Sequence, residues 1–304
     1  MTFTVIPVPA MGAEDVVVAA DGTVYTGTED GTIWAVDPVS GSVRRVAETG
    51  GRPLGLELFD DGDLLVCDAL RGLLRVSTGS GTVEVLCDRV DGRAMKFCNN
   101  AAIADDGTIW FSDSSLDFGL ARWKDDFVQD TRTGRLMRRD PVGTVTVVLD
   151  GLAFANGVAL SADGSFVCVA ELRGRTVVRH WIGGARAGER DLLVGDLPGY
   201  PDNISRGSDG LIWVTIASPV DGLVERLGSA PMMLRKAVTK IPEALQPKPK
   251  DTIRVQAYAD DGRLVHDLDI DHPGFHMVTG VREQDGRVWM GSLHEPSVAV
   301  HDLA

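Results

Sequence analysis

The sequence lacks the motifs of several common enzyme classes. It contains neither the Gly-Xaa-Ser-Xaa-Gly elbow of serine hydrolases nor a Walker-type phosphate loop. No apolar run approaches the roughly 18 residues of a membrane span, and the N-terminal stretch MTFTVIPVPAMGAED has no basic segment followed by a signal-peptide core. We therefore expect a cytoplasmic protein.

Cysteine is scarce, and basic residues are outnumbered by acidic ones. The four cysteines show no Cys-Xaa-Xaa-Cys spacing and lie in strand-like runs such as LLVCD, which is typical of buried small hydrophobic residues. The formal net charge is −14. Such a charge repels phosphate backbones and anionic lipid headgroups, so we expect a small-molecule partner and neither nucleic acid nor a membrane.

One unit recurs along the chain: a strand-like run, an Asp-Gly pair and a second run with aromatic or branched residues. Asp-Gly between two such runs is a strong hairpin signal. The turn aspartates are Asp21, Asp61, Asp106, Asp163, Asp209 and Asp285. Their spacings of 40 to 76 residues indicate propeller blades, two of which carry insertions.

The repeat predicts an all-β fold, a six-bladed β-propeller with four-stranded blades in a single domain of residues 1–304. The last unit ends in SVAVHDL and lacks one strand, which TFTVIPV at the N-terminus is expected to supply. Insertions at residues 114–135 and 217–250 interrupt blades 3 and 5, and the second has a short stretch of helix-forming composition. Because long insertions often form lids, we expect both to cap the channel mouth.

Alignment of the six units on the turn aspartate reveals a polar ring. The residues seven positions earlier are Glu14, Leu54, Asn99, Asn156, Asp202 and Val278. The first strand of each blade lines the channel, so these residues should lie at one depth. A single Asn or Asp at a strand start is usually a turn residue, but four oxygen-bearing side chains in one register indicate a divalent cation. Oxygen ligands predict Ca²⁺, with Zn²⁺, Mn²⁺ or Mg²⁺ as alternatives.

Other polar residues fall near the same end of the channel. Asp68 and Asp113, seven residues after their turns, and Glu171, eight after its turn, are candidate acid/base or substrate-binding groups. The alternative is that they are solvated strand-end residues. His276 and His294, in GFHMVTG and SLHEPS, are expected either to contact substrate or to have a structural role.

Four segments carry a family resemblance: PDNISRGSDGLIW, FANGVALSADG, CNNAAIADDG and VAELRGRTVVRHWI. They resemble the calcium-dependent propeller superfamily of gluconolactonase/regucalcin proteins, paraoxonases and strictosidine-synthase-like proteins, with wording most like the last branch. The resemblance covers essentially the whole chain. It implies that Glu14, Asn99, Asn156 and Asp202 are metal ligands, and similarity to paraoxonases implies that Asn203 also helps to bind calcium.

The chain departs from these relatives at three positions. Plant strictosidine synthases have a glutamate where this chain has Thr279, so Pictet–Spengler condensation by that mechanism is not expected. Paraoxonases have a catalytic histidine at the position of Asp68, and regucalcin-type lactonases have a substrate-binding arginine at that of Phe97. We therefore expect a less polar substrate than a sugar lactone, contacted by Phe97, Asn100 and Thr279.

The leading hypothesis is a metal-dependent lactonase or esterase-like hydrolase, in which the metal polarises the carbonyl and a carboxylate activates water. Asp202 is the first candidate for the base, followed by Asp68, Asp113 and Glu171. Two alternatives stay open. One is a propeller that binds a small molecule or protein and has a structural metal, and the other is a biosynthetic isomerase or cyclase that uses the same metal.

Overall fold

The computed structural model describes residues 2–241 and 250–303, in which strands predominate. In chain order the strands are Phe3–Pro7 (β1), Val16–Val18 (β2), Val24–Gly27 (β3), Thr32–Val36 (β4), Val43–Glu48 (β5), Pro53–Leu58 (β6), Leu64–Asp68 (β7), Gly72–Val76 (β8), Val83–Cys87 (β9), Arg89–Val90 (β10), Arg93–Ala94 (β11), Cys98–Ile103 (β12), Ile109–Asp113 (β13), Gly134–Arg139 (β14), Val145–Leu152 (β15), Ala155–Leu160 (β16), Phe166–Glu171 (β17), Thr176–Trp181 (β18), Arg190–Val194 (β19), Gly199–Arg206 (β20), Ile212–Pro219 (β21), Ile253–Tyr258 (β22), Leu264–Ile270 (β23), Val278–Gln284 (β24), Arg287–Ser292 (β25) and Ser297–Asp302 (β26). The α-helices are Trp123–Gln129 (α1), Gly222–Gly228 (α2) and Met232–Val238 (α3), and 3-10 turns span Leu120–Arg122 and Gly184–Arg186. Within the described ranges, no helix has the length and hydropathy needed to cross a membrane.

Six antiparallel sheets of four strands form the blades. Blades 1 to 5 consist of β2–β5, β6–β9, β12–β15, β16–β19 and β20–β23, and β10 and β11 form a separate hairpin. Blade 6 combines β24, β25 and β26 with β1, which pairs with β26 from Phe3 opposite His301 to Pro7 opposite Ser297. The predicted six-bladed propeller, closed by its N-terminal strand, is confirmed.

The Asp-Gly pairs form the turns between the first two strands of every blade. Their glycines all have positive φ, between 66° and 87°, a conformation that residues with a Cβ rarely adopt. In the first five units the aspartate Oδ1 accepts the backbone N–H two residues later, as Asp106 does from Thr108 at 2.8 Å. These local bonds favour the hairpins.

The hydrophobic core is divided among the spaces between neighbouring blades. Cys168 and Val177 of blade 4, for example, pack in one cluster with Ile204 and Val214 of blade 5. Strands β7 and β17 are buried along their whole length, whereas the outer strands β5 and β23 are largely accessible. The four cysteines are buried and unpaired, as expected. The inner strands are therefore held from both sides, and this packing fixes the positions of their first residues.

β-Bulges interrupt the first strands of blades 2 to 6 near the predicted ring. In β20 the chain advances three residues from Pro201 to Ile204 while its partner β21 advances two. A bulge leaves the extra residue unpaired and redirects the neighbouring side chains. Consecutive residues such as Asp202 and Asn203 can therefore both reach the channel.

The described parts of the two insertions, which we call the cap, pack together at one end of the channel, where the inner strands begin. Phe127 on α1 lies edge-on to Tyr200 of β20, with 4.9 Å between ring centroids. Glu225 on α2 accepts hydrogen bonds from Tyr200 Oη at 3.0 Å and from Arg173 Nη1 at 2.8 Å. The predicted helical stretch of the second insertion continues into residues 242–249, which lie outside the described residues.

A substitution at Gly157 tests the close approach of β16 and β20. A Cβ at this position would lie 2.1 Å from Ile204 N and 2.7 Å from Asn203 Cα. Gly157→Ala should therefore lower the free energy of unfolding by about 3 kcal/mol. Gly183→Ala in the same blade, where the nearest atom is 3.8 Å from the added Cβ, should change it by less than about 1 kcal/mol. Urea denaturation measures both, and equal stability of the two variants would contradict the inferred approach.

Candidate metal centre

Four of the predicted ligands meet in pairs inside the channel. Asn156 Nδ2 on β16 donates to Asp202 Oδ1 on β20 at 2.5 Å. Asn203 Nδ2 donates to Glu14 Oε1 at 3.2 Å, and because blades 5 and 1 are not neighbours, this bond crosses the channel. All four residues are at most 9% exposed. The structure thus brings these predicted ligands together.

Asn99 is connected to this group through a serine of its own blade. Its Nδ2 donates to Ser114 Oγ at 2.9 Å, and Ser114 Oγ donates to the Ala155 carbonyl at 2.7 Å, next to Asn156. Each of the three ligand asparagines therefore has its amide nitrogen bound to a protein acceptor. This arrangement orients the carboxamides and leaves their oxygens available.

Four oxygens of this group are buried and have no hydrogen-bond partner among the described residues. They are Glu14 Oε2, Asn99 Oδ1, Asn156 Oδ1 and Asn203 Oδ1. A buried acceptor without a partner costs about 1–3 kcal/mol, and the great majority of such atoms in native proteins have one. Carboxylate and amide oxygens are the donors that Ca²⁺ takes. The residues present therefore fit the cation that the sequence predicts.

The site depends on amide oxygens as much as on carboxylates. In the part of the chain that the structure describes, no group of three or more His, Cys, Asp or Glu side chains is arranged to hold a metal. Leu54 and Val278 fill the remaining ring positions and are buried. A donor set of this kind favours a hard cation over zinc or copper, which suit nitrogen and sulfur ligands.

Burial dominates the electrostatics of the channel. Desolvation raises the pKa of Glu14 well above its usual range, and the charges of Asp202 and Asp15 add to this effect. Desolvation likewise raises the pKa of Asp202 and that of Asp15 to about 7. The buried Arg52 guanidinium opposes the shift at Glu14. A bound divalent cation would favour the charged form of each carboxyl group.

The residues that follow Glu14, Asn99 and Val278 make further polar contacts beside the ring. Asn100 Oδ1 accepts from Val158 N at 2.8 Å, and Asn100 Nδ2 lies 3.5 Å from Asp15 Oδ2. Thr279 Oγ1 donates to the Glu14 carbonyl at 2.8 Å. Both side chains are buried and bonded between blades, which suits a structural role, and the expected substrate contacts of Asn100 and Thr279 stay predictions.

Asp68, Asp113 and Glu171 share a structural arrangement. Each is buried and accepts the backbone N–H of a residue at the start of its own blade. These bonds run from Arg52 N to Asp68, from Phe97 N to Asp113 and from Ala153 N to Glu171, at 3.0, 3.0 and 2.8 Å. Burial raises the pKa of Asp113, although an ion pair with Arg135 at 2.6 Å opposes this. These bonds anchor the inner strands, and Asp68 Oδ2 has no partner among the described residues. The acid/base roles of the three carboxyl groups stay predictions.

The two candidate histidines lie in different surroundings. His276 precedes Val278 by two residues and is half-buried, with Nδ1 3.2 Å from Glu295 Oε1. His294 is exposed, and its backbone N–H donates to Ser292 Oγ at 3.1 Å. Of the two, the position of His276 suits a substrate contact better, and both contacts stay predictions.

An aromatic wall, formed by Phe97, Phe154 and Tyr200, lies above the ring on blades 3 to 5. Each of these residues precedes its predicted ligand by two positions, and all three belong to one buried cluster. Phe97 and Phe154 pack edge to face with centroids 5.4 Å apart. Leu120 and Trp123 of the first insertion pack against the cluster from the cap. The three rings therefore form a buried apolar cluster next to the predicted ligands on these blades.

Sequence reasoning missed Asp15, Phe154 and Tyr200. The aromatic pair follows from the ring register, counted two residues earlier on neighbouring blades. The scarcity of asparagine is a second signal. The whole chain has only four asparagines, and all of them lie in the ring or beside it. Nothing in the sequence distinguishes Asp15 from a turn residue.

Comparisons with known proteins are consistent with this fold. Family models described as strictosidine synthase and as strictosidine synthase-like, N-terminal, match residues 99–185 and 3–36. Protein STRICTOSIDINE SYNTHASE-LIKE 10 of Arabidopsis thaliana is 34% identical over 83% of this chain and 70% of that protein. Adipocyte plasma membrane-associated protein of Rattus norvegicus is 30% identical, covering 94% of this chain and 82% of its own length.

Solved structures share the architecture at low sequence identity. A gluconolactonase from Xanthomonas campestris has a TM-score of 0.72 at 16% identity, covering 99% of this chain and 89% of that chain. A calcium-binding protein, regucalcin, from Agrobacterium tumefaciens has a TM-score of 0.67 at 14% identity, covering 97% and 90%. Fold and comparisons together define a six-bladed propeller with the architecture of these two solved structures. By sequence, the chain belongs to the strictosidine synthase-like family.

Calcium should stabilise the protein through the ring. At 100 times the dissociation constant, Ca²⁺ should add about 2.7 kcal/mol to the free energy of unfolding of chelator-treated protein. Asn156→Ala removes one unpartnered oxygen and the contact with Asp202, so most of this increment should be lost. Asn100→Ala should keep the increment, even if its starting stability falls. Thermal unfolding with and without Ca²⁺ measures both, and equal losses in the two variants would contradict the assigned site.

Proposed function

We propose that this chain is a metal-dependent hydrolase of a lactone or related ester of low polarity. The observation that carries the proposal is the set of four unpartnered buried oxygens around Asp202, next to an aromatic wall. Two proteins of the same fold, described as a gluconolactonase and as a calcium-binding regucalcin, support the proposed reaction and the proposed ion.

Five residues would hold the cation: Glu14, Asn99, Asn156, Asp202 and Asn203. When bound, the ion polarises the substrate carbonyl and favours the negative charge that develops on its oxygen. The chain itself orients the ligands, because hydrogen bonds from the amide nitrogens fix the three asparagine side chains. Little rearrangement is then needed when the site is filled.

Asp202 is the proposed general base. It is 9% exposed, whereas the other four predicted ligands are at most 3% exposed, so it lies nearest to the solvent of the channel. Asn156 holds Oδ1, which leaves Oδ2 to accept a proton. As the water oxygen bonds to the carbonyl carbon, its proton passes to Oδ2. The proton then moves to the leaving oxygen when the ester C–O bond breaks.

The aromatic wall favours an apolar acyl or aryl group in the substrate. Phe97 and Phe154 form one buried surface, and Phe127 of the cap extends it through Tyr200. Such a surface excludes water from the reacting bond and makes burial of the apolar part of the substrate favourable. A sugar lactone would leave its hydroxyl groups without partners against these rings.

One observation favours a second candidate function, a binding propeller with a structural cation. The wall and the ring are both buried beneath the cap, as a site that retains its ligand would be. Under this alternative, calcium would stabilise the protein without any turnover of esters. The same activity measurements separate the two functions.

Asp202→Asn tests the base directly. The variant keeps an oxygen for the cation but loses the proton acceptor, so kcat should fall by about 10²- to 10⁴-fold. A panel of lactones and aryl esters, assayed with Ca²⁺, Mn²⁺ and Zn²⁺, provides the measurement. Asp68→Asn is the matched control and should lower stability while leaving the kcat of the folded protein within a few-fold. Wild-type turnover in the Asp202 variant, or none in the wild type with any substrate, would contradict the proposal.

Phe154→Ala tests the substrate preference. Loss of the phenyl group should reduce kcat/KM for long-chain or aromatic esters by about 10- to 200-fold relative to short-chain esters, because the apolar part of the substrate loses its packing surface. Phe59→Ala, which removes a half-buried ring stacked under Arg75 away from the channel, is the control. An unchanged ratio of the two kcat/KM values would show that the wall does not select the substrate.

A further inference from the structure

The cap carries a concentration of exposed apolar side chains. Leu223 on α2 is 53% exposed, and the consecutive residues Met232, Met233 and Leu234 on α3 are 42%, 86% and 51% exposed. Single exposed hydrophobic residues are ordinary, but three consecutive ones on one short helix and a fourth on a contacting helix indicate an interaction site. We call these four residues, together with Lys236 and Lys240, the cap patch.

The charge of this segment is opposite to that of the whole chain. Between Arg226 and Ile241 there are four basic residues and no acidic one, in a chain with net charge −14. Lys236 and Lys240 are exposed. Arg235, in contrast, ties α3 to α1 because its Nη1 donates to the Gln129 carbonyl at 2.8 Å. The expectation that the protein avoids anionic surfaces depends on the average charge, which does not describe the cap.

We propose that the cap patch docks reversibly on an anionic lipid surface. Methionine and leucine side chains can enter the boundary between headgroups and acyl chains while neighbouring lysines reach the phosphates. Lysines near such a surface add an electrostatic attraction that salt screens. The proposal does not depend on hydrolysis, although docking would turn the channel mouth towards the membrane.

The charges disfavour the other occupants. A second copy of the chain, meeting through the same surface about a twofold axis, would bring Lys236 and Lys240 against their own equivalents. Like charges juxtaposed across an interface are unfavourable. An acidic peptide would satisfy the lysines but would leave Met233, the most exposed of the four apolar residues, without an apolar environment.

Vesicle co-sedimentation tests the proposal. The full chain should partition onto vesicles of equimolar phosphatidylglycerol and phosphatidylcholine at low salt, and at least tenfold less onto phosphatidylcholine alone. K236E/K240E should lower partitioning onto the anionic vesicles at least tenfold. The matched control R44E/R45E makes the same charge change on the outer strand of blade 1, where both arginines are exposed, and should lower it less than twofold.

Met233→Asp tests the apolar part, with Val39→Asp as its control because Val39 is 95% exposed on blade 1. The first variant should reduce partitioning at least fivefold and the second less than twofold. Absence of wild-type binding would overturn the proposal, as would equal effects of variant and control. A change of mass by light scattering in Met233→Asp, with lipid binding unchanged, would assign the patch to a second copy instead. None of these outcomes depends on ester hydrolysis.

Discussion

Two carboxylates and three carboxamides buried in one channel are the constraint on which the rest of the structure depends. Removing an ion from water costs several kcal/mol in a real protein, and each unpartnered oxygen adds about 1–3 kcal/mol. The charge of Asp202 also raises the energy of the charged form of Glu14. The propeller sustains this arrangement because packing between blades holds every inner strand from both sides. A cation shared by the free oxygens would offset the cost.

The bulges explain how so many predicted ligands converge. A regular strand sends alternate side chains to opposite faces, so one strand would supply one residue at a given depth. The bulge in β20 lets Asp202 and Asn203 both act, the first towards blade 4 and the second across to Glu14. Gly157 makes this possible, because any side chain there would collide with the backbone of Asn203. The positions of Asp202 and Asn203 thus depend both on the bulge in β20 and on the glycine at position 157.

Much of the fold and part of the site could be predicted from the sequence. Asp-Gly turns recur at blade spacing. An offset of seven residues from the turn leads to the ring in every blade, because the Asp-Gly pair forms the turn of every first hairpin. The contacts of Asp68 and Asn100 could not be predicted, because a polar residue beside the channel can face either a ligand or a backbone N–H, and only the folded bulge decides which. The contribution of Tyr200 depends on cap helices that pack from distant sequence.

Crystallography of the protein grown with Ca²⁺ is the decisive test of the predicted calcium site. We expect one strong density peak in the channel, about 2.3–2.6 Å from Glu14 Oε2 and from the side-chain oxygens of Asn99, Asn156 and Asn203, with Asp202 as a further ligand. A channel without such a peak at saturating Ca²⁺, with these oxygens turned towards protein donors, would contradict it.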